Sequence, residues 1–211
     1  MHQVLAHPRN REIVLAAVSK CGHALAHAAP ELQGDREIVL IAVTDAGSTL
    51  EHAAPELQSD REIVSTALLQ DGSALQFAAL ELQADRNMVL QAVKGDGSAL
   101  EYASEEMQSD REVVMAAVSN FGRALAFASE ELRGDRKVVL TAVVCDASAV
   151  EYASQELQED PLIAEAAVNG YTTAFRESAG FSAIALQSLL RVLQLLDAPR
   201  RRLVGSGAAA T

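Results

Sequence analysis

Apolar and polar positions along this chain repeat with a period of twenty-five residues. In the copy from Asp35 to Ser59, DREIVLIAVTDAGSTLEHAAPELQS, the apolar residues Ile38, Val39, Ala42 and Val43 recur at i, i+1, i+4 and i+5. That spacing makes one stripe on a helix and none on a strand. Asp35 stands where an N-cap belongs, and Glu37 complements the dipole in the first turn. The pattern predicts a first helix over about 36–45, closed by Gly47 in a left-handed or otherwise tight conformation. Leu50, Ala53, Ala54 and Leu57 then follow at i, i+3, i+4 and i+7 behind the capping-box pair Ser48 and Glu51, which predicts a second helix over about 49–58.

The period does not slip. Asp35, Asp60, Asp85, Asp110, Asp135 and Asp160 are evenly spaced, and Asn10 takes the same place before the first copy. Helices of about ten residues are marginal alone, so their stability has to come from stacking on neighbouring copies. The expected fold class is all-α, a solenoid-like stack of six to seven short helix-turn-helix repeats. Residues 1–9 read as a partial N-terminal segment and residues 10–184 as the array, its last copy degenerate because Pro161 replaces the Arg and the ELQ ending is gone. Residues 185–204 form the C-terminal capping helix and basic end, within the amphipathic stretch SAIALQSLLRVLQLL (182–196) and Arg200 to Arg202; a partner-helix or membrane-surface role is the alternative. Residues 205–211 read as a flexible tail. The start of the array carries no clear cap, which leaves open a longer array or self-association through that end.

Small residues mark the seams where helices meet: Ala17, Ala42, Ala67, Ala92, Ala117 and Ala142 in the first helix, Ala28, Ala53, Ala78, Ala103, Ala128 and Ala153 in the second. The Arg after each capping Asp opposes the helix dipole, so Arg11, Arg36, Arg61, Arg86, Arg111 and Arg136 need acidic partners. The glutamates at a fixed place in the second helix, Glu31, Glu56, Glu81, Glu106, Glu131 and Glu156, are the expected ones, either in a structural ladder or as a solvated charge face.

Composition sharpens this picture in three ways. Hydrophobic residues make up 49% of the chain but aromatics only 4%, with no Trp, so small and aliphatic side chains do the packing. The net charge of −12 is concentrated in the repeats and repels a phosphate backbone, which excludes nucleic acid as a partner there and favours basic or apolar protein or peptide. Cys21 and Cys145 stand in the turns of the first and sixth copies, too far apart along a stack for an intrachain disulfide. Free thiols and an N-terminus without signal-peptide character point to a cytoplasmic protein, and no segment is suited to span a membrane.

Motifs for catalysis are absent: no phosphate loop, dinucleotide fingerprint, zincin helix or nucleophile elbow occurs. GDGSALE at 95–101 lacks the alternating acids of a calcium loop and reads as the inter-helix turn. His27 and His52 occupy equivalent places but have no third ligand, so no metal and no cofactor is expected. That same place reads His27, His52, Phe77, Tyr102, Phe127, Tyr152, a row flanked by Glu51, Glu101 and Glu151. The row either fills the core between repeats or lines a groove for an apolar or cationic ligand.

The unit DREIVLxAVxxxGxALxxAxxELQxD, quoted from Arg36 to Asp60 and again from Arg111 to Asp135, resembles the tandem repeat family catalogued as domain of unknown function 4116. Ala147 in place of the turn glycine and Pro161 in place of the Arg depart from it. The resemblance implies short helical repeats in multi-repeat proteins and brings no activity and no functional residue. The expected function is a helical-repeat scaffold or protein-protein interaction module without catalysis; the alternatives are a structural spacer of a larger repeat protein and, third, an enzyme. If the alanine seams are closely packed, Ala103→Leu lowers the unfolding midpoint, at a cost of about 1–3 kcal/mol from overpacking, and an unchanged thermal melt would refute the packing.

Overall fold

The computed structural model describes residue 4 and residues 6–177, and among them every regular element is helical. The predicted C-terminal capping helix, basic end and tail lie outside the described residues. Units of twenty-five residues stack in register into a solenoid-like all-α fold. Each unit has three parts, seen in the second copy as a long α-helix Arg36–Asp45, a 3-10 helix Gly47–His52 and a single α-turn Pro55–Gln58. The long helices Arg11–Val18, Arg61–Gln70, Arg86–Gly95, Arg111–Asn120 and Arg136–Cys145 repeat the first part, and Pro161–Glu177 opens a copy that runs on without the 3-10 segment.

The first helix begins as expected. The Asp35 carboxylate accepts from the Glu37 and Ile38 backbone N–H groups at 3.1 and 3.3 Å, and the same pair of bonds recurs at Asp60, Asp85, Asp110, Asp135 and Asp160.

The second helix differs from the continuous one predicted over 49–58. It breaks at Ala53 and Ala54, both extended, with ψ of 148° and 149°. The break turns the Ala54 N–H away from its own helix and onto the Gln33 carbonyl of the preceding unit at 3.0 Å. Ala29, Ala79, Ser104, Ser129 and Ser154 do the same to Pro8, Gln58, Gln83, Gln108 and Arg133 at 2.9–3.0 Å. A continuous helix would consume that donor internally; the broken one uses it to bond copy to copy. The recurrent Gln of ELQ also gains a role, because the Gln58 side-chain amide donates to the Leu50 carbonyl at the end of the 3-10 helix at 3.1 Å, as Gln83 and Gln108 do to Leu75 and Leu100. The expected Ser48–Glu51 capping box does not form. Where the 3-10 helix is capped, the residue just before it does so: Asp71, Asp96 and Asp146 accept from the N–H groups of Ser73, Ser98 and Ser148 at 2.9 Å.

The glycine also has a different reason to exist. Among the described residues no glycine has a positive φ. A Cβ on Gly97 would lie 2.4 Å from the Ala117 carbonyl oxygen of the next long helix, and Gly22, Gly47, Gly72 and Gly122 meet Ala42, Ala67, Ala92 and Ala142 at 2.3–2.6 Å. The requirement is close approach of backbones rather than turn geometry.

The core runs the length of the stack. Ile38, Val39, Ala42, Val43 and Leu50 are fully buried, and their counterparts in the other copies continue the line. The alanine seam holds, Ala42, Ala67, Ala92, Ala117 and Ala142 being fully buried and the second set nearly so; Ala17 is half-buried. Thr49, buried where other copies have Ala, donates its hydroxyl to the Ala46 carbonyl at 2.7 Å and leaves no polar atom orphaned. Cys21 and Cys145 are exposed, free thiols.

Gly97→Ala is therefore expected to destabilise by about 1–3 kcal/mol, since the backbone it strikes cannot yield without moving a helix. Gly34→Ala, whose new methyl meets nothing closer than 3.7 Å, is expected to be neutral or to stabilise by up to about 1 kcal/mol. Urea denaturation of the two variants decides the matter, and equal effects would overturn the close-approach explanation.

Candidate functional site

Carboxylates at the starts of the long helices are tied into the stack by a ladder of arginines. The arginine ladder is real, but its partners are not the predicted glutamates Glu31, Glu56, Glu81, Glu106, Glu131 and Glu156. Each Arg instead reaches the capping Asp of the next unit: Arg11 to Asp35 at 2.7 Å, Arg61 to Asp85 at 2.8 Å, Arg86 to Asp110 at 2.9 Å, and likewise Arg36 to Asp60, Arg111 to Asp135 and Arg136 to Asp160. Arg11, Arg36 and Arg86 add a second bond to Glu37, Glu62 and Glu112. Both ends of this bond lie at the starts of adjacent long helices, so the stacking that aligns the helices also aligns the pair. The N-cap Asp thereby binds its own helix and the previous unit at once.

These contacts keep the aspartates ionised. At Asp35 and Asp85 the arginine guanidinium leads in lowering the pKa, with backbone N–H bonds adding to it, and at Asp135 the Val138 N–H leads. At Asp60, Asp110 and Asp160 loss of solvent pushes the other way and is outweighed by the arginine and the helix-start N–H groups.

Two further lines of glutamates stand on the 3-10 helices and the short α-turns. Glu31, Glu56, Glu81, Glu106, Glu131 and Glu156 are exposed at the short turns, and Glu51, Glu101 and Glu151 are exposed on the 3-10 helices. Between the two lines lies the predicted row, His27, His52, Phe77, Tyr102, Phe127 and Tyr152, every member half-buried. Phe77, Tyr102, Phe127 and Tyr152 rest one side of the ring against the core, because each ends a 3-10 helix just before the extended break. The row is half-buried, with its four rings packed against the core.

One contact was invisible to pattern reading. Arg123, at a place occupied by His23, Ser48, Ser73, Ser98 and Ser148 in other copies, donates from Nη2 to the Tyr152 hydroxyl of the next unit at 3.0 Å, with its guanidinium carbon 6.0 Å from the ring centroid. The Tyr152 hydroxyl foremost, then Asp146 and Glu151, hold Arg123 further in its charged form. The available signal was the lone cation in a row of serines.

A cleft of about 450 Å³ opens elsewhere, between the first two long helices, lined by Val18, Ser19, Leu40, Ile41, Thr44 and Asp45. Its one ionisable group, Asp45, accepts from the Gly22 N–H at 2.7 Å and is already committed to the fold. Among the described residues no group of three or more His, Cys, Asp or Glu is placed to hold a metal ion, and no helix is long and apolar enough to cross a membrane. Asp96 of the GDGSALE stretch caps the 3-10 helix.

A family model described as Domain of unknown function (DUF4116) matches three times in tandem, at residues 10–58, 45–83 and 85–133. No curated protein and no solved structure matches.

The depressed aspartate pKa values set an acid limit. A group whose pKa is lower folded than unfolded contributes stability that is complete above its unfolded value, 3.8 here, and that fades as the pH falls through the folded one. Stability toward denaturant is expected to be nearly level from about pH 7 to pH 5 and to decline below about pH 4. A stability maximum on the acid side of pH 4 would contradict the ladder as described.

Proposed function

Since this chain belongs to the domain of unknown function 4116 repeat family, which assigns it no chemistry, we propose that it is a protein-binding scaffold without catalysis whose docking surface is the face of the 3-10 helices. The observation that carries this reading is the division of carboxylates. The capping aspartates from Asp35 to Asp160 are paired with arginines, whereas Glu51 and Glu101 beside the row, and the line at the short turns, form no ion pair among the described residues. Exposed carboxylates of one sign flanking half-buried rings attract and hold a basic, partly apolar segment of another protein.

Periodicity argues against catalysis. Each candidate acid recurs in equivalent surroundings along the stack, whereas an active site needs groups of different kinds converging on one place. The competing class, a spacer whose surface binds nothing, differs from a scaffold in a single measurable respect.

Selection of a random peptide library on the protein at low salt is expected to enrich Lys- and Arg-bearing sequences whose binding weakens as salt rises. Glu51→Gln combined with Glu101→Gln should reduce their affinity by about tenfold, the order expected for two charge contacts, with the denaturation midpoint unchanged. No enrichment, or enrichment indifferent to charge, would leave the spacer reading in place of this one.

A further inference from the structure

The contact between Arg123 and Tyr152 shows what this surface accepts. The guanidinium lies over a Tyr ring, bonds its hydroxyl at 3.0 Å and is attracted by Asp146 and Glu151. Two units earlier the same three residue types stand at the same three places: Asp96, Glu101 and Tyr102. The likeness extends to the backbone and its bonds. Asp96 has φ −142° and ψ 107°, Asp146 φ −144° and ψ 112°, and each accepts from the Ser N–H two residues on at 2.9 Å. Exposure agrees at each of the three positions: half-buried Asp, exposed Glu, half-buried Tyr.

The three matching positions hold the same residues in both places, and the cation that occupies one is missing at the other. Arg123 precedes Tyr152 by 29 residues; the residue in that relation to Tyr102 is Ser73, whose hydroxyl donates to Asp71 within its own turn at 2.6 Å. No other copy carries the full set. Phe77 has Asp71 but Gln76 beside it, and Phe127 has Phe121 and Ala126 in place of both acids.

We infer that Asp96, Glu101 and Tyr102 form a guanidinium seat that receives an arginine side chain of the partner protein, the counterpart of the seat that Arg123 fills from within at Tyr152. This rests on the scaffold reading above and names the partner's contacting group. Arginine suits the seat better than lysine, because its planar cation stacks on a ring while an N–H at its edge reaches the hydroxyl. Charge from Asp96 and Glu101 draws the cation in, and the core packing behind Tyr102 fixes the ring before the ligand arrives.

The test uses the whole chain, isotope-labelled for NMR, with N-acetyl-arginine amide as probe and the citrulline and lysine analogues as comparisons. In the wild type the arginine probe is expected to shift amide signals of residues 96–102, with the lysine analogue weaker and citrulline silent. Ser73→Arg, which supplies an internal arginine, should reduce the response there by about tenfold or more, the order of one such contact. Arg123→Ser should open a second responding site at residues 146–152. Denaturation midpoints of both variants establish that they fold. A wild-type response that is absent, or spread over all exposed glutamates, or unchanged in Ser73→Arg, overturns the seat. Library peptides that still bind Ser73→Arg with full affinity would remove the seat and leave the scaffold reading intact, whereas a library that yields no binders removes the scaffold reading whatever the probe shows.

Discussion

One unit lies so close to the next that no side chain fits between their backbones at one point, and most of the repeat follows from that approach. Gly97 meets the Ala117 carbonyl where a Cβ would stand at 2.4 Å, and the same meeting recurs from Gly22 to Gly122. Close backbones require small residues on the facing helix, which is the alanine seam. They also bring the N–H of Ala54 within bonding range of Gln33, and that bond in turn forces the extended break between 3-10 helix and short α-turn. The break sets where the 3-10 helix ends, and its last residue is a member of the aromatic row. The candidate site is therefore placed by packing, even though none of its members makes the closest contact.

Electrostatics adds a second division of labour. The capping Asp satisfies orphan N–H groups of its own helix and accepts the arginine of the preceding unit, so a local and a long-range interaction share one carboxylate. An Arg in a first turn opposes its own helix dipole, and the acids of the neighbouring helix start offset that cost. Exposed pairs of this kind contribute only about 0–1 kcal/mol each, so their main effect is on register: six equivalent bonds are satisfied together only when every unit stacks in the same alignment. Glu51 and Glu101 stand outside that arrangement and form no ion pair among the described residues.

Much of this was legible in the sequence, and the exceptions have a common cause. The period, the all-α class, the first helix with its Asp cap and the alanine seams follow from intervals along the chain. The second helix was misread because its apolar spacing is helical on both sides of Ala53 and Ala54, and nothing local reports that the Ala54 N–H is claimed by another unit. The glycine was assigned a turn for the same reason: sequence displays its place before a helix but not the Ala carbonyl lying against it. The spacing points the arginines to the line of glutamates from Glu31 to Glu156, whereas stacking brings Asp60 and Glu62 to Arg36. At the candidate site the row itself could be read, but its half-buried state could not, since that depends on the depth of the core edge. Arg123 stands outside the period, so intervals along the chain carry no signal for its contact with Tyr152.

Interfaces between neighbouring copies reuse the same surfaces: glycine to carbonyl from Gly22 to Gly122, N–H of the break to the preceding Gln or its stand-in, arginine to capping Asp. A gene that duplicates or deletes one whole unit inside such an array preserves these shared contacts, so copy number is free to change wherever no copy-specific contact such as Arg123 to Tyr152 is broken. Ala147 and Pro161, which abandon the glycine and the arginine, mark where that freedom stops. Within it, adding a unit after Tyr102 and before the unit of Arg123 would move the two rings apart by one step while keeping Arg123 beside Tyr152, which makes the distance between binding features a quantity that evolution can set independently of the features themselves.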